Sequence, residues 1–99
     1  ANIYPAEVEA VLAKHPKVSL AAVVGVPARV KGEIAVAYVI LKQPGPATAE
    51  ELEAHCREHL SSYKVPKKFL VVQSLPMTPT GKIQKRELRS MAADSFGAG

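Results

Sequence analysis

The chain contains one cysteine, Cys56, no tryptophan, and an aromatic fraction of only 5 %. A single thiol excludes an internal disulfide framework and any multi-cysteine metal site within these residues. A reducing, cytoplasmic setting is the corresponding expectation. Long hydrophobic runs are also missing. The longest, Ile34 to Leu41, is strand-sized and far short of the roughly 18 apolar residues a membrane helix needs. The opening Ala1-Asn2-Ile3-Tyr4-Pro5 has no charged segment leading into an apolar one, so no secretory signal is expected. Internal repeats are absent, and no Ser/His/Asp grouping or carboxylate pair stands out, which leaves a freestanding hydrolase poorly supported.

What remains has the composition of a folding domain. Of 99 residues, 47 % are apolar and 22 % charged, close to the average for soluble globular chains. A domain of this size buries roughly 60–70 % of the surface its unfolded chain exposes, so a single modest core is expected. The net charge of +4 is unevenly placed. Residues 1–63 hold six Lys/Arg against seven Glu, whereas residues 64–99 hold seven Lys/Arg against Glu87 and Asp94. The C-terminal third therefore favours an anionic partner: nucleic acid, acidic membrane or a phosphorylated small molecule.

Hydrophobic spacing predicts the elements. Pro5 suits a helix's first turn, Glu7 and Glu9 lie at the favourable end of its dipole, and Val8, Val11 and Leu12 recur at helical intervals. A short helix over 5–14 is expected, stopped by His15-Pro16. Val18 to Val26 reads as a buried strand ended by Gly25 and Pro27, and Ile34 to Leu41 as a second strand. After the turn Gln43-Pro44-Gly45-Pro46, Thr48 with Glu51 forms a capping-box pattern that opens a helix to about Leu60. Leu52, Cys56 and Leu60 share its apolar face. Ser61 to Pro66 reads as a linker, Lys68 to Val72 as a third strand, and Ile83 to about Met91 as a last helix, with 92–99 fraying. The order α-β-β-α-β-α predicts a small α+β domain of two layers, a mixed sheet of about three strands with about three helices packed on it.

The candidate sites each have an ordinary alternative. In Pro76-Met-Thr-Pro-Thr-Gly-Lys82 the Gly-Lys pair suggests a phosphate loop. That motif, however, needs glycine where Pro76 stands and Ser/Thr where Ile83 stands. What the segment does offer is a lysine on a loop stiffened by two prolines and freed at Gly81, suited to meet a phosphate or carboxylate as a point charge. A solvated loop lysine is the alternative. Lys82, Lys85, Arg86 and Arg89 form a basic run that fits a solvated helix face, a nucleic-acid contact or a polyphosphate cofactor, although no aromatics interleave it. His55 and His59 have a zinc-like spacing but no further ligand, so no metal site is expected. Cys56 reads as core.

Six stretches in fixed order resemble the C-terminal domain of adenylate-forming enzymes, the superfamily of acyl-CoA synthetases, luciferases and peptide-synthetase adenylation domains. They are Asn2-Ile-Tyr-Pro-Ala-Glu-Val-Glu9, His15-Pro16, Ala22-Val-Val-Gly-Val-Pro27, Lys31-Gly-Glu33, Tyr63-Lys-Val-Pro66, and Leu75-Pro76 through Thr80-Gly-Lys-Ile-Gln-Lys-Arg-Glu-Leu88. The last stretch is most similar to acyl- or aryl-CoA synthetases; the Asn-Gly-Lys-Val-Asp-Arg of peptide-synthetase domains is absent. Ala1 stands where the family usually has a glycine.

The resemblance implies that residues 1–99 are a mobile lid whose large N-terminal partner domain binds ATP, with Mg, and the carboxylic acid. Lys82 would be the catalytic lysine of acyl-adenylate formation, flanked by Thr80 and Gly81 at the cofactor. The lid would then swing so that coenzyme A attacks the adenylate. Arg57 matches by position a basic contact to coenzyme A, and Lys64 and Lys85 join it on charge. The implied activity is an acid–thiol ligase of fatty acid metabolism, inactive as the isolated domain, with acylation of Lys82 as an off-switch. A lid serving a carrier-protein phosphopantetheine thiol, or a small basic nucleic-acid-binding module, are the alternatives. The identity of the acid is set by the missing domain.

Overall fold

The computed structural model describes residues 2–28, 32–45 and 47–97. The expectations that fall on Ala1, Lys31, Pro46, Ala98 and Gly99 lie outside the described residues. Among the described residues seven elements follow in order: helix α1 (Pro5–Ala13), strands β1 (Val18–Pro27) and β2 (Glu33–Leu41), helix α2 (Ala49–His59), a 3₁₀ turn (Ser62–Lys64), strand β3 (Lys68–Val71) and helix α3 (Lys85–Phe96). The sheet order is β1-β2-β3, with β1 antiparallel and β3 parallel to the central β2. The architecture is a small α+β domain with a mixed three-stranded sheet and three helices, in line with the sequence reading.

The layering goes beyond the two layers expected. Alternate residues of β1 and β2 point to opposite faces of a sheet. Ala21, Val23, Ala35, Ala37 and Val39 meet Val8 and Leu12 of α1 and Leu52 and Cys56 of α2. Ala22, Val24, Val26, Val36 and Tyr38 meet Leu75 and Leu88 and Ala92 of α3 on the other side. Helix, sheet and helix therefore stack, and two apolar clusters share one sheet where a single core was expected. The near-continuous apolar runs of β1 and β2 have this cause, since strands covered on both faces have no polar side to show. A bulge at Val18/Leu20 shifts the register, which turns Val18 toward the α1/α2 face although its even-numbered neighbours face α3.

Gly25 lies inside β1, as the expected Val18–Val26 strand has it, with the side-chain ends of Ile3 and Glu33 close to where a Cβ would stand. The bounds of the last helix differ from expectation. Helix α3 begins at Lys85, because Ile83 pairs with Met77 in an isolated β-bridge, and it continues to Phe96. Ala92, expected to open a frayed tail, is fully buried against the sheet.

Candidate functional site

The segment Met77–Ile83 is a miniature hairpin. The Gly81 N–H donates to the Thr78 carbonyl (3.0 Å), closing a turn with Pro79 and Thr80 at its corners, and the Thr78 N–H donates to the Lys82 carbonyl (2.7 Å). Gly81 takes φ +87°. A type I-like turn followed by one left-handed residue is the usual three-residue hairpin loop, and it calls for proline at the first corner and glycine at the left-handed position. With its carbonyl used by Gly81, Thr78 serves Lys82 through its hydroxyl, which accepts the Lys82 N–H at 3.0 Å and lies 3.1 Å from the Thr80 hydroxyl. The Gln84 N–H donates to the Pro76 carbonyl (2.8 Å), tying the hairpin base to the start of α3. The loop is thus fixed through nearly all of its short backbone. Its Lys82 side chain is exposed and, among the described residues, has no partner for its ammonium.

Arg57, Lys64 and Lys85 are each committed to a glutamate. Arg57 on α2 reaches one oxygen of Glu53, four residues earlier, through Nη2 (2.8 Å) and Nε (3.0 Å). The Lys64 ammonium meets Glu7 at 2.9 Å and stands over the rings of Tyr4 (4.9 Å) and Tyr63 (5.6 Å). The Glu7 hydrogen bond, more than its charge or the two tyrosines, holds the Lys64 pKa above its ordinary value despite partial desolvation. Lys85 meets Glu9 at 2.7 Å and donates to the Val23 carbonyl (3.1 Å). The expected residues are therefore not gathered in one pocket. Thr80, Gly81 and Lys82 lie in the hairpin beside α3, while Arg57 lies on α2, across the sheet. Arg86 and Arg89, on α3, are exposed and unpaired among the described residues, like Lys82.

Three glutamates escaped functional notice in the sequence. Glu7 and Glu9 read there only as dipole-favouring residues, since nothing local signals a partner 57 or 76 positions away. The capping box is only half made. The Thr48 hydroxyl accepts the Glu51 N–H at 3.1 Å, but the Glu51 carboxylate turns away to His15 (3.1 Å) and Lys17 (3.2 Å). The hydrogen bond from Lys17 is the main reason that the Glu51 carboxyl titrates below its ordinary value. His55 donates to the Val11 carbonyl (2.8 Å) and His59 to that of His55 (2.8 Å), so both imidazoles serve the backbone. Among the described residues no group of three or more His, Cys, Asp or Glu could hold a metal ion, and no helix is long and apolar enough to cross a membrane. Cys56 is fully buried, and desolvation pushes its thiol up to about 11.

Comparison with known proteins places this geometry. Residues 7–82 match the family model of the AMP-binding enzyme C-terminal domain. The mitochondrial medium-chain acyl-CoA ligase ACSF2 of Danio rerio is 46 % identical over 96 residues, which cover 97 % of this chain and 16 % of that protein. The crystal structure of ATP-bound MatB from Rhodopseudomonas palustris superposes with a TM-score of 0.89 at 31 % identity, over 97 % of this chain and 19 % of that one. The amide bond synthetase McbA from Marinactinospora thermotolerans superposes with a TM-score of 0.83 at 41 % identity, over 91 % of this chain and 18 % of that one. The chain thus spans less than a fifth of the length of each of these relatives. With the fold, the motif order and the family model in agreement over most of its length, the chain belongs to the AMP-binding enzyme C-terminal domain family.

Proposed function

We propose that this domain is the mobile lid of an ATP-dependent acid–CoA ligase and that Lys82 supplies the cation for acyl-adenylate formation. The observation that carries the reading is the Lys82 hairpin: a rigid backbone presenting one exposed ammonium with no internal counter-ion. In adenylation the carboxylate attacks the α-phosphorus of ATP and displaces pyrophosphate, and a pre-positioned cation is worth most where negative charge develops and water is excluded. Lys82 would stabilise that charge and orient the reactants without becoming a nucleophile. Thr80 and Gly81 would let the phosphates approach the loop backbone. ATP would bring its Mg to the large domain. A relative named as an acyl-CoA ligase and a solved neighbour with ATP bound support this reading.

After pyrophosphate leaves, the lid turns and the coenzyme A thiol attacks the acyl carbonyl, forming the thioester and releasing AMP. Arg57, on α2, would meet the coenzyme A phosphates, exchanging its Glu53 contact, and the exposed Glu53 pair is weak enough to exchange. Lys64 and Lys85 would reach a phosphate only by leaving their glutamates. A fatty-acid substrate, a cytoplasmic location, and silencing by acylation of Lys82 belong to the same proposal, since acylation removes the cation. A carrier-protein thiol is the alternative acceptor. The likeness to an amide bond synthetase favours adding an amine as a further one.

The test uses the full-length parent. Lys82→Ala is expected to abolish ATP–pyrophosphate exchange across a panel of carboxylic acids while conversion of supplied acyl-adenylate to thioester continues. The panel also names the acid class. Both activities intact in the variant would refute the assignment. Acceptors offered in parallel (coenzyme A, a phosphopantetheinyl protein, an amine) separate the readings.

A further inference from the structure

The order β1-β2-β3 leaves β1 at the edge of the sheet. An edge strand exposes unpaired backbone groups. At Val23 both groups are taken by side chains. Its N–H donates to Glu9 Oε2 (2.8 Å), and its carbonyl accepts from Lys85 Nζ (3.1 Å). Glu9 and Lys85 close the circuit by pairing with each other at 2.7 Å. Three elements meet at this point, α1 through Glu9, β1 through Val23 and α3 through Lys85. The two charged side chains are only 25 % and 35 % exposed, so solvent screens them less than it screens the Arg57 pair.

Lys85 is the first residue of α3 and follows Lys82 by three positions. The backbone between them is fastened to the hairpin by Gln84, through its N–H to the Pro76 carbonyl (2.8 Å). Whatever holds the Lys85 end of α3 therefore sets where the hairpin stands relative to the sheet. We infer that Glu9 and Lys85 form a clasp that positions the Lys82 hairpin, making both of them positioning residues for adenylation. The inference rests on the adenylation reading of Lys82 and assigns the Lys85 ammonium to this clasp. A flexible lysine meets its target only a fraction of the time unless its loop is held. Small displacements of a positioned group cost rate, not affinity.

The full-length enzyme tests this with Lys85→Met, which keeps the aliphatic stem and removes the ammonium, and Lys85→Arg, which can meet both Glu9 and the Val23 carbonyl. Lys85→Met is expected to lower kcat for ATP–pyrophosphate exchange about tenfold, with KM for acid and ATP within about twofold of wild type. Lys85→Arg should restore most of that loss, and thioester formation from supplied adenylate should persist in both variants. Amide hydrogen exchange at Gly81 and Lys82 should quicken in Lys85→Met. If Lys85→Met misfolds, Glu9→Gln replaces it, since it retains an acceptor for the Val23 N–H and loses only the charge. Wild-type exchange kinetics in these variants would overturn the clasp, as would a raised KM for coenzyme A with adenylation unchanged. If Lys82→Ala leaves adenylation intact, the Lys82 assignment fails instead, and hydrogen exchange at Gly81 and Lys82 still decides the clasp.

Discussion

At the scale of single residues, the conformation of Gly81 decides the shape of the loop. It sits at φ +87° with open space where a Cβ would go, so a substitution there meets no clash and its whole cost is conformational. A left-handed conformation costs an L-residue about 1–2 kcal/mol. Gly81→Ala should lower stability by about that amount in chemical denaturation, and Gly81→Asn by less, because asparagine tolerates this region. Loss of adenylation in Gly81→Ala beyond what the stability change explains would show that the loop, and not only its lysine, is needed. The left-handed position was legible in the sequence: proline, a spacer and glycine before a lysine describe the turn almost completely. The partners of Lys64 and Lys85 were not legible, because an ion pair between residues far apart along the chain leaves no periodic trace.

At the scale of elements, Thr48 is the cap that α2 requires. Its hydroxyl accepts the Glu51 N–H, and Thr48→Ala should cost about 1 kcal/mol, read as a lower thermal midpoint. The helix and strand positions agreed with the sequence to within a residue or two, because the hydrophobic spacing and the stop signals at Pro16 and the 43–45 turn reinforce each other. The exception is α3. Its sequence is alanine-rich and polar past Met91, and local propensity gave no reason to extend it to Phe96. Burial of Ala92 and contact of Phe96 with the α3-side cluster supply the reason. Tertiary packing outweighs a weak local signal here.

At the scale of the whole molecule, Glu51 ties α2 to the chain that follows α1 through His15, itself 7 % exposed, and Lys17. Its carboxyl titrates below the ordinary 4.5 in the folded state. A depressed carboxyl pKa stabilises the fold above the unfolded value, and that contribution fades as pH falls through the folded one. Glu51→Gln should therefore be less stable than the parent at pH 7, and the gap should close progressively below about pH 4.5. An equal gap at pH 7 and pH 3 in urea titrations would contradict this. The layering was the least legible feature at this scale. Apolar runs show that β1 and β2 are buried on both faces, but nothing in them states which helix covers which face.

That layering has a consequence for motion. A sheet with one bare face must borrow its cover from a neighbour and is anchored to that neighbour by the apolar area they share. Here α1 and α2 seal one face and α3 the other, so the domain carries its own insulation. The proposed turning of the lid would then exchange surface contacts alone, like a key in a lock, and leave both apolar clusters closed.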